Sequence, residues 1–400
     1  MKVSVLGLGY IGLPTSIVLA KAGHDVYGFD VNEKVIDILN GGKIHIVENN
    51  LEEAYQDVLK KKRFKAYKEL QEAQVYIIAV PTPFKSDLEH KVADLSYVKS
   101  AAKEVAKKLK KGDLVILEST VPPKTTEMMT DILETESGIS RNDFDSVHCP
   151  ERVLPGQILY ELEHNDRIIG AEKESAALRA KELYDSFVKE GTNYITDDVT
   201  AEMAKIVENS FRDVNIAFAN ELSIICKQLE IDVFELIELA NKHPRVNILT
   251  PGIGVGGHCI SVDPWFIVER FPYEAKLIHQ ARKTNDFKPV FVANEVEDLI
   301  NKDKTKTIAV LGLAYKPNID DLRESPSIEF AHILKGRGYN VIGCEPNVSD
   351  KVVEGIDVSS IEETLKRADF VVLTLAHSEF LEKEKEIFSK SHYDCVGIKK

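Results

Sequence analysis

One cysteine, Cys259, stands within a glycine-rich stretch, residues 251–264, that carries four glycines just before it. Glycine permits positive φ and close approach of the backbone, so this stretch predicts a loop that packs closely against a neighbouring group and presents a thiol at its end. A positioned thiolate adds to a carbonyl carbon and leaves again, so it can hold an aldehyde as a thiohemiacetal and an acid as a thioester. The alternative is a buried cysteine in an ordinary turn, and the rest of the chain must decide between them.

The elements that would position such chemistry begin at the start of the chain. A buried strand predicted at residues 2–6 runs into a G-x-G-x-x-G stretch and an apolar helix, and a second predicted strand, 25–29, ends at an acid. This is the dinucleotide fingerprint in context, with glycines for the pyrophosphate, a helix N-terminus for its charge and an acid for the ribose hydroxyls. A carboxylate there would repel the 2′-phosphate of NADP, so the predicted cofactor is NAD. The predicted contacts are Gly7, Gly9, Tyr10, Ile11, Gly12 and Asp30.

Two hydroxyl side chains follow the next predicted strands. Apolar runs at 74–80 and 113–118 predict strands, and Thr82 and Thr120 come after them. In a doubly wound sheet the ligand lies at the carboxyl ends of the strands, so we expect both threonines to contact cofactor or substrate. Plain turn chemistry is the alternative.

A loop with an acid and an arginine follows the strand at 145–148, which is predicted to be the last of its domain. Glu151 and Arg152 stand between Pro150 and Pro155, which predicts a rigid loop that presents both side chains. Cys149, at the end of the strand, is predicted to be structural.

From about residue 197 the pattern changes to one long helix that continues to about residue 227. Glu202, Lys205, Asn209 and Arg212 share one stripe of it. Because the remaining faces are apolar, we expect the helix to be buried nearly all round and the polar stripe to line a site or an interface. The apolar residues are Ile206, Val207, Phe211, Val214, Ile216, Ala217 and Phe218.

Composition narrows the class of protein. The chain has 400 residues and a net charge of −14, from 51 basic and 65 acidic residues, which argues against a nucleic-acid partner. Its five cysteines form no C-x-x-C, so we expect no disulfide framework and no metal site. This use of cysteine predicts a reducing compartment. The sequence contains no apolar run long enough to span a membrane. We therefore expect a cytoplasmic protein.

The predicted fold class is α/β, with two Rossmann-like doubly wound parallel-sheet domains joined by a central helical domain. The expected boundaries are 1–196 for the NAD-binding domain, 197–300 for the helical domain and 301–400 for the second Rossmann-like domain. The helical domain is long enough to form a subunit interface as well. In the last domain the opening strand and turn recur as I-A-V-L-G-L-A at 308–314, with alanine in place of the second fingerprint glycine, so we do not expect a dinucleotide to bind there in the same way. Lys316 and Arg323 would suit phosphates, with surface salt bridges as the alternative.

Together these motifs resemble the nucleotide-sugar 6-dehydrogenases, the family of UDP-glucose and GDP-mannose dehydrogenases, over nearly the whole chain. The markers are G-L-G-Y-I-G-L-P at 7–14, S-T-V-P-P at 119–123, P-E at 150–151, E-M-A-K-I-V-E-N at 202–209, G-V-G-G-H-C-I at 254–260, and K-P-N with R-E-S-P at 316–326. The segment 393–397 departs from the D-T-R-G that is typical there.

The resemblance implies a four-electron oxidation of a sugar C6 alcohol by two NAD molecules. Cys259 would hold the aldehyde and then the thioester, Lys205, Asp263 or a water would assist proton removal, and Glu151 would activate the hydrolytic water, which Thr120 orders. Lys205 and Asn209 would stabilise oxyanion charge. Arg323 would touch NAD, and Arg245 would reach the active site of a neighbouring subunit, which implies a homodimer or larger homo-oligomer. The implied substrate contacts are Arg152, Leu154, Lys205, Asn209, Arg212, Arg245, Gly256 and Lys316.

Within the family, the segments 148–156, 209–222 and 243–249 resemble the enzymes that oxidise UDP-N-acetyl-D-mannosamine. UDP-glucose enzymes typically have phenylalanine where this chain has Arg152, which favours a 2-acetamido sugar. UDP-N-acetylglucosamine and UDP-glucose remain alternative substrates. More distant alternatives are a β-hydroxyacid dehydrogenase, which would need no cysteine and would form one NADH per substrate, and a non-catalytic sensor on the same fold.

Overall fold

The computed structural model describes residues 1–85, 91–154 and 156–398, so Pro155 of the predicted proline-bounded loop lies outside the described residues. The chain divides into two compact units, Met1–Val207 and Glu208–Lys400. The division into three domains stays a prediction. In the part of the chain that the structure describes, no helix has the length and apolar character needed to cross a membrane.

The first unit is built on one sheet. Its strands are β1 (Lys2–Leu6), β2 (Asp25–Phe29), β3 (Phe64–Tyr67), β4 (Val75–Ile78), β5 (Leu114–Leu117), β6 (Asp145–His148), β7 (Arg167–Gly170) and β8 (Asn193–Thr196). Their order is β3-β2-β1-β4-β5-β6-β7-β8, and every neighbouring pair is parallel except β6 and β7. The reversal of strand order beside β1 is the place where doubly wound folds bind their ligands.

Helices cover both faces of this sheet. They are α1 (Gly12–Lys21), α2 (Glu33–Asn40), α3 (Leu51–Lys60), α4 (Ser96–Ala106), α5 (Thr125–Ser137), α6 (Ile158–His164) and α7 (Glu174–Asp185). The burial of β4 shows the two layers, because Val75 and Ile77 belong to one apolar cluster while Tyr76 and Ile78 belong to the other. A parallel strand that is buried on both sides requires this continuous apolar run.

One expectation for the first unit was wrong in detail. The strand at 145–148 is not the last, because β7 and β8 extend the sheet beyond it.

The second unit contains a six-stranded sheet and most of the remaining helices. Its strands are β9 (Thr307–Leu311), β10 (Asn340–Cys344), β11 (Val352–Val353), β12 (Ile356–Val358), β13 (Phe370–Leu373) and β14 (His392–Asp394), in the order β11-β12-β10-β9-β13-β14. Within the described strands of this second sheet, only the short hairpin β11–β12 pairs antiparallel. The helices from α8 onward are α8 (Asp198–Leu229), which begins in the first unit, α9 (Val233–Ala240), α10 (Asp263–Arg270), α11 (Lys276–Leu299), α12 (Pro326–Gly336), α13 (Ile361–Arg367), α14 (Ser378–Glu382) and α15 (Glu384–Ile387).

The long helix α8 confirms the predicted length but not the predicted burial. Val207, Phe211, Phe218 and Ile225 are exposed, with 68% of the Phe211 surface accessible. Their spacing of four, seven and seven residues places them along one stripe of the helix. The apolar composition of α8 therefore leaves an exposed apolar stripe rather than a helix that is buried all round.

Candidate active site

The glycine fingerprint forms a tight turn between β1 and α1. Gly7 has φ of +89°, and a Cβ on Gly12 would lie 1.8 Å from the Gly7 carbonyl oxygen, so neither position accepts a side chain. A Cβ on Gly9 would meet no atom within 4 Å. Ile11 at the N-cap of α1 provides no side-chain hydrogen bond, and Tyr10 is exposed. An uncapped helix N-terminus behind a glycine turn suits the pyrophosphate of a dinucleotide.

Asp30 lies at the end of β2 and is joined to this turn. One carboxylate oxygen accepts the N–H of Leu8 at 2.9 Å and the other accepts the N–H of Asn32 at 2.8 Å. Each carboxylate oxygen can accept a further hydrogen bond, so Asp30 can still bind ribose hydroxyls. The turn and the acid together fit NAD.

The two predicted threonines lie together beyond β4 and β5. The Thr82 hydroxyl donates to the Thr120 carbonyl oxygen at 2.7 Å, and the neighbouring Ser119 hydroxyl donates to the Val80 carbonyl at 2.7 Å. These bonds join the two loops because β4 and β5 are adjacent parallel strands. Thr82 thus has a structural bond of its own, and Thr120 is half-buried beside it.

Glu151 and Lys205, two residues with predicted catalytic roles in the first unit, lie next to each other. Lys205 Nζ on α8 lies 3.4 Å from Glu151 Oε1, and both side chains are about nine-tenths buried. The second oxygen of Glu151 accepts the N–H of Val153 at 2.9 Å, which fixes the carboxylate at the loop after β6. Arg152 donates to the Asp166 carbonyl at 3.1 Å.

Leu154, in the same loop, is 60% exposed. Its N–H donates to Glu161 at 2.6 Å, so the backbone of the loop is fixed while the apolar side chain remains accessible.

Sequence reasoning gave Glu202 no role of its own. Its buried carboxylate accepts the N–H of Lys124 at 2.6 Å, and the N–H and hydroxyl of Thr126 at 2.7 Å each. It therefore joins α8 to the start of α5, directly after the S-T-V-P-P loop. Burial raises the pKa of Glu202 to about 7. The only sequence signal was an acid one turn before Lys205.

Cys259, in the second unit, is exposed, whereas the four other cysteines are buried. The Cys259 carbonyl accepts the N–H groups of Val262 at 3.0 Å and Asp263 at 2.8 Å, which places the thiol immediately before α10. The buried Asp263 carboxylate accepts a hydrogen bond of 2.6 Å from the side-chain amide of Asn209. Asn209 and Asp263 are thus brought together beside the turn that carries Cys259.

The glycines before Cys259 pack against the chain itself. A Cβ on Gly256 would lie 2.4 Å from the Glu324 carbonyl oxygen, and one on Gly257 would lie 2.7 Å from the Tyr315 ring. The Gly257 N–H also donates to the Arg323 carbonyl at 3.1 Å. The close approach that these glycines permit is therefore to residues 315–326, the K-P-N and R-E-S-P segment.

Four basic residues with predicted ligand roles lie at the surface. Arg212, Arg245 and Lys316 are exposed. The Arg323 guanidinium, also exposed, binds the Asp321 carboxylate through Nε at 2.9 Å and Nη2 at 2.6 Å. Arg323 therefore has the salt-bridge partner that the sequence left as an alternative.

The fold and these groups define a class of protein, a dinucleotide-dependent oxidoreductase with an exposed thiol on its second unit. Residues 1–188 match the NAD binding domain of the UDP-glucose/GDP-mannose dehydrogenase family, residues 199–287 its central domain and residues 309–396 its UDP binding domain. The chain belongs to this family, and it is an NAD-dependent nucleotide-sugar dehydrogenase.

Three relatives illustrate the similarity of this chain to known proteins in sequence and structure. A UDP-N-acetyl-D-mannosamine dehydrogenase of Campylobacter jejuni is 49% identical over 399 residues, covering 96% of this chain and 97% of the relative. An NDP-N-acetyl-D-galactosaminuronic acid dehydrogenase of Ralstonia nicotianae is 47% identical, covering 94% and 91%. The solved UDP-D-ManNAc dehydrogenase of Pyrococcus horikoshii has a TM-score of 0.90 and 41% identity, covering 100% of this chain and 96% of that one.

Proposed function

We propose that this protein oxidises the C6 hydroxyl of UDP-N-acetyl-D-mannosamine to the carboxylate of UDP-N-acetyl-D-mannosaminuronate, through a thioester on Cys259. The observation that carries the mechanism is the exposure of this one thiol while the other four cysteines are buried. The substrate is supported by the names of the Campylobacter and Pyrococcus relatives. Arg152, where UDP-glucose enzymes typically have phenylalanine, favours an acetamido sugar.

NAD would be held by the 7–12 turn and Asp30. The chemistry that bound NAD supplies is acceptance of hydride, once from the C6 alcohol and once from the Cys259 thiohemiacetal. In the first oxidation, Lys205 or Asp263, directly or through a water, takes the proton of the C6 hydroxyl. The Cys259 thiol then loses its proton to solvent, and its sulfur bonds to the aldehyde carbon as the carbon–oxygen π bond opens to an oxyanion. Lys205 and the Asn209 amide donate hydrogen bonds to the oxygen that becomes negative.

Hydrolysis releases the product and restores the thiol. Glu151 accepts a proton from water as the water oxygen bonds to the thioester carbon, and the carbon–sulfur bond breaks with return of a proton to Cys259. Thr120 would order this water. The supporting geometry is the fixed Glu151 carboxylate, which has one oxygen on the Val153 N–H and the other beside Lys205.

We also propose a cytoplasmic homo-oligomer. The exposed stripe of Val207, Phe211, Phe218 and Ile225 on α8 supports a second copy as its partner, since monomers rarely leave such a run of large apolar side chains in water. Arg245 would then reach the active site of the neighbouring subunit. The five cysteines, which are widely spaced in the sequence and form no C-x-x-C, support a reducing compartment.

The deciding experiment counts NADH formed per sugar consumed. UDP-N-acetylmannosamine, UDP-N-acetylglucosamine, UDP-N-acetylgalactosamine and UDP-glucose are supplied separately in limiting amounts, the galacto sugar because of the Ralstonia relative. Two NADH per sugar from the mannosamine substrate, and little turnover of the other three, is the expected result. One NADH per sugar would contradict the thioester mechanism, and preference for another sugar would contradict the substrate.

A further inference from the structure

The second unit contains a cavity of about 230 Å³ that none of the proposed cofactor or substrate residues lines. It lies among α8, the start of α9, α11 and the end of β14. Lys288, Cys226, Cys395 and Val292 form a buried floor, and the exposed Ile231 lies at the rim. Sites for drug-sized ligands occupy roughly 300–1,000 Å³, so the cavity is too small for NAD or a nucleotide sugar.

Lys288 is the unusual group in this cavity. It is only 4% exposed, its Nζ donates to the Ser223 hydroxyl at 2.6 Å, and Nζ lies 5.1 Å from the centre of the Phe291 ring. An ammonium has three protons to donate. Among the residues that the structure describes, no carboxylate forms an ion pair with Lys288. Burial without a counter-ion is costly, and it lowers the pKa of Lys288 to about 8.

The thiols and the phenol around Lys288 do not supply the missing negative charge. Burial raises the pKa of Cys226 on α8, of Cys395 to about 12 and of Tyr393 on β14, so all three are protonated at neutral pH. Cys395 belongs to the segment 393–397 that departs from the family's D-T-R-G pattern, and the mechanism proposed above does not use it.

The acids around the cavity have other partners. Asp232, before α9, accepts the N–H groups of the two residues that follow Val233, and Asp394 accepts those of residues 396 and 397. Glu295 on α11 lies 3.3 Å from Lys227 of α8, and its charge also opposes, without outweighing, the effect of burial on the pKa of Lys288. The cavity therefore combines a buried cation with apolar walls and carboxylates that already accept hydrogen bonds or pair elsewhere.

We propose that this cavity binds a small monocarboxylate, with its carboxylate on Lys288 and its short apolar chain against Phe234 and Val292. One negative charge matches the one buried ammonium. A dianion such as phosphate would bring a second charge close to Asp232 and Asp394, which also line the cavity. The size of the cavity limits the ligand to a short-chain acid.

The test is calorimetric titration of the full-length protein with sodium acetate, butyrate and hexanoate, and with inorganic phosphate for comparison. We expect affinity to rise from acetate to hexanoate, because the longer chains bury more apolar surface. Near pH 8 binding should take up protons, since the bound anion favours the charged amine, and the uptake should disappear at pH 6. The proton uptake is measured by repeating the titration in two buffers with different ionisation enthalpies.

Lys288→Met should weaken hexanoate binding about tenfold or more, because the charge-assisted hydrogen bond is lost. Lys283→Met, which removes an exposed lysine of the same helix that does not line the cavity, is the matched control and should change affinity far less. No binding by the wild-type protein, no proton uptake near pH 8, or tighter binding of phosphate would overturn the proposal. Proton uptake is measured on the wild-type protein, so the test remains decisive even if Lys288→Met fails to fold.

Discussion

Lys205 and Glu151 form an ion pair of 3.4 Å between α8 and the loop after β6, and the exposed fractions of the two side chains are 8% and 11%. Removing one member of such a buried pair leaves the other charge uncompensated. The pair therefore links the group proposed to stabilise the oxyanion with the group proposed to activate water, and changes at either position should affect the other.

Glu151→Gln should separate oxidation from hydrolysis. An amide cannot accept the proton of the attacking water, and loss of a general base slows a step by roughly 100-fold or more. We expect a burst of NADH followed by a slow steady state. Mass spectrometry should find the sugar acid attached to Cys259. Glu174→Gln, at an exposed acid, is the control, and an unmodified Cys259 during the slow phase would contradict the role of Glu151.

Gly12→Ala and Gly9→Ala should have different consequences. A Cβ on Gly12 would lie 1.8 Å from the Gly7 carbonyl oxygen, so the turn must open and the protein should lose stability as well as NAD binding. A Cβ on Gly9 meets nothing within 4 Å, so that variant should keep its thermal stability and lose only affinity for NAD. Thermal denaturation and NAD titration measure the two effects. Unchanged NAD affinity in Gly9→Ala would argue against pyrophosphate at the turn.

Glu202→Gln should destabilise the first unit. The glutamine has one acceptor oxygen in place of two, and its NH₂ group would face donors that are now held by the carboxylate, the N–H groups of Lys124 and Thr126. An unsatisfied buried donor costs about 1–3 kcal/mol, so we expect a loss of that size in urea denaturation. Glu221→Gln, at an exposed position of the same helix, should change stability little. An equal effect of both variants would contradict the proposed role of Glu202 in holding the start of α5.

His148 should make stability fall in acid. Burial lowers its pKa to about 3 from an ordinary value near 6.5, so the native state binds its proton less readily than the unfolded state. The contribution of neutral His148 to the free energy of unfolding is complete above pH 6.5. It is lost as the pH falls towards 3, at up to about 1.4 kcal/mol per pH unit.

The measurement compares the free energy of unfolding of wild type and His148→Leu between pH 7 and pH 5. The variant should show the smaller decline over this range. His332→Leu, at an exposed position, controls for removal of a histidine. Parallel curves for wild type and His148→Leu would contradict the prediction.

The sequence alone determined the features that depend on neighbouring residues. The strand at Lys2–Leu6, the glycine turn and the start of α1 follow one another directly, and the acid that ends β2 could be proposed as a cofactor contact from its position. The length of α8 and the choice of Cys259 as the proposed nucleophile also came from the sequence, because helical periodicity and a glycine-rich loop are local patterns. The motifs were also specific enough to indicate the family.

Only the tertiary structure decided which distant residues meet. Glu202 binds the start of α5 across 76 positions of sequence, and Asn209 reaches Asp263 across 54. Periodicity indicates which face of α8 is apolar, but it does not indicate whether another element covers that face, and Phe211 proved exposed. Lys288 and Cys395 come to line one cavity because α11 and the strand β14 pack in the same unit. Such contacts depend on how whole elements pack, and no local pattern in the sequence records that packing.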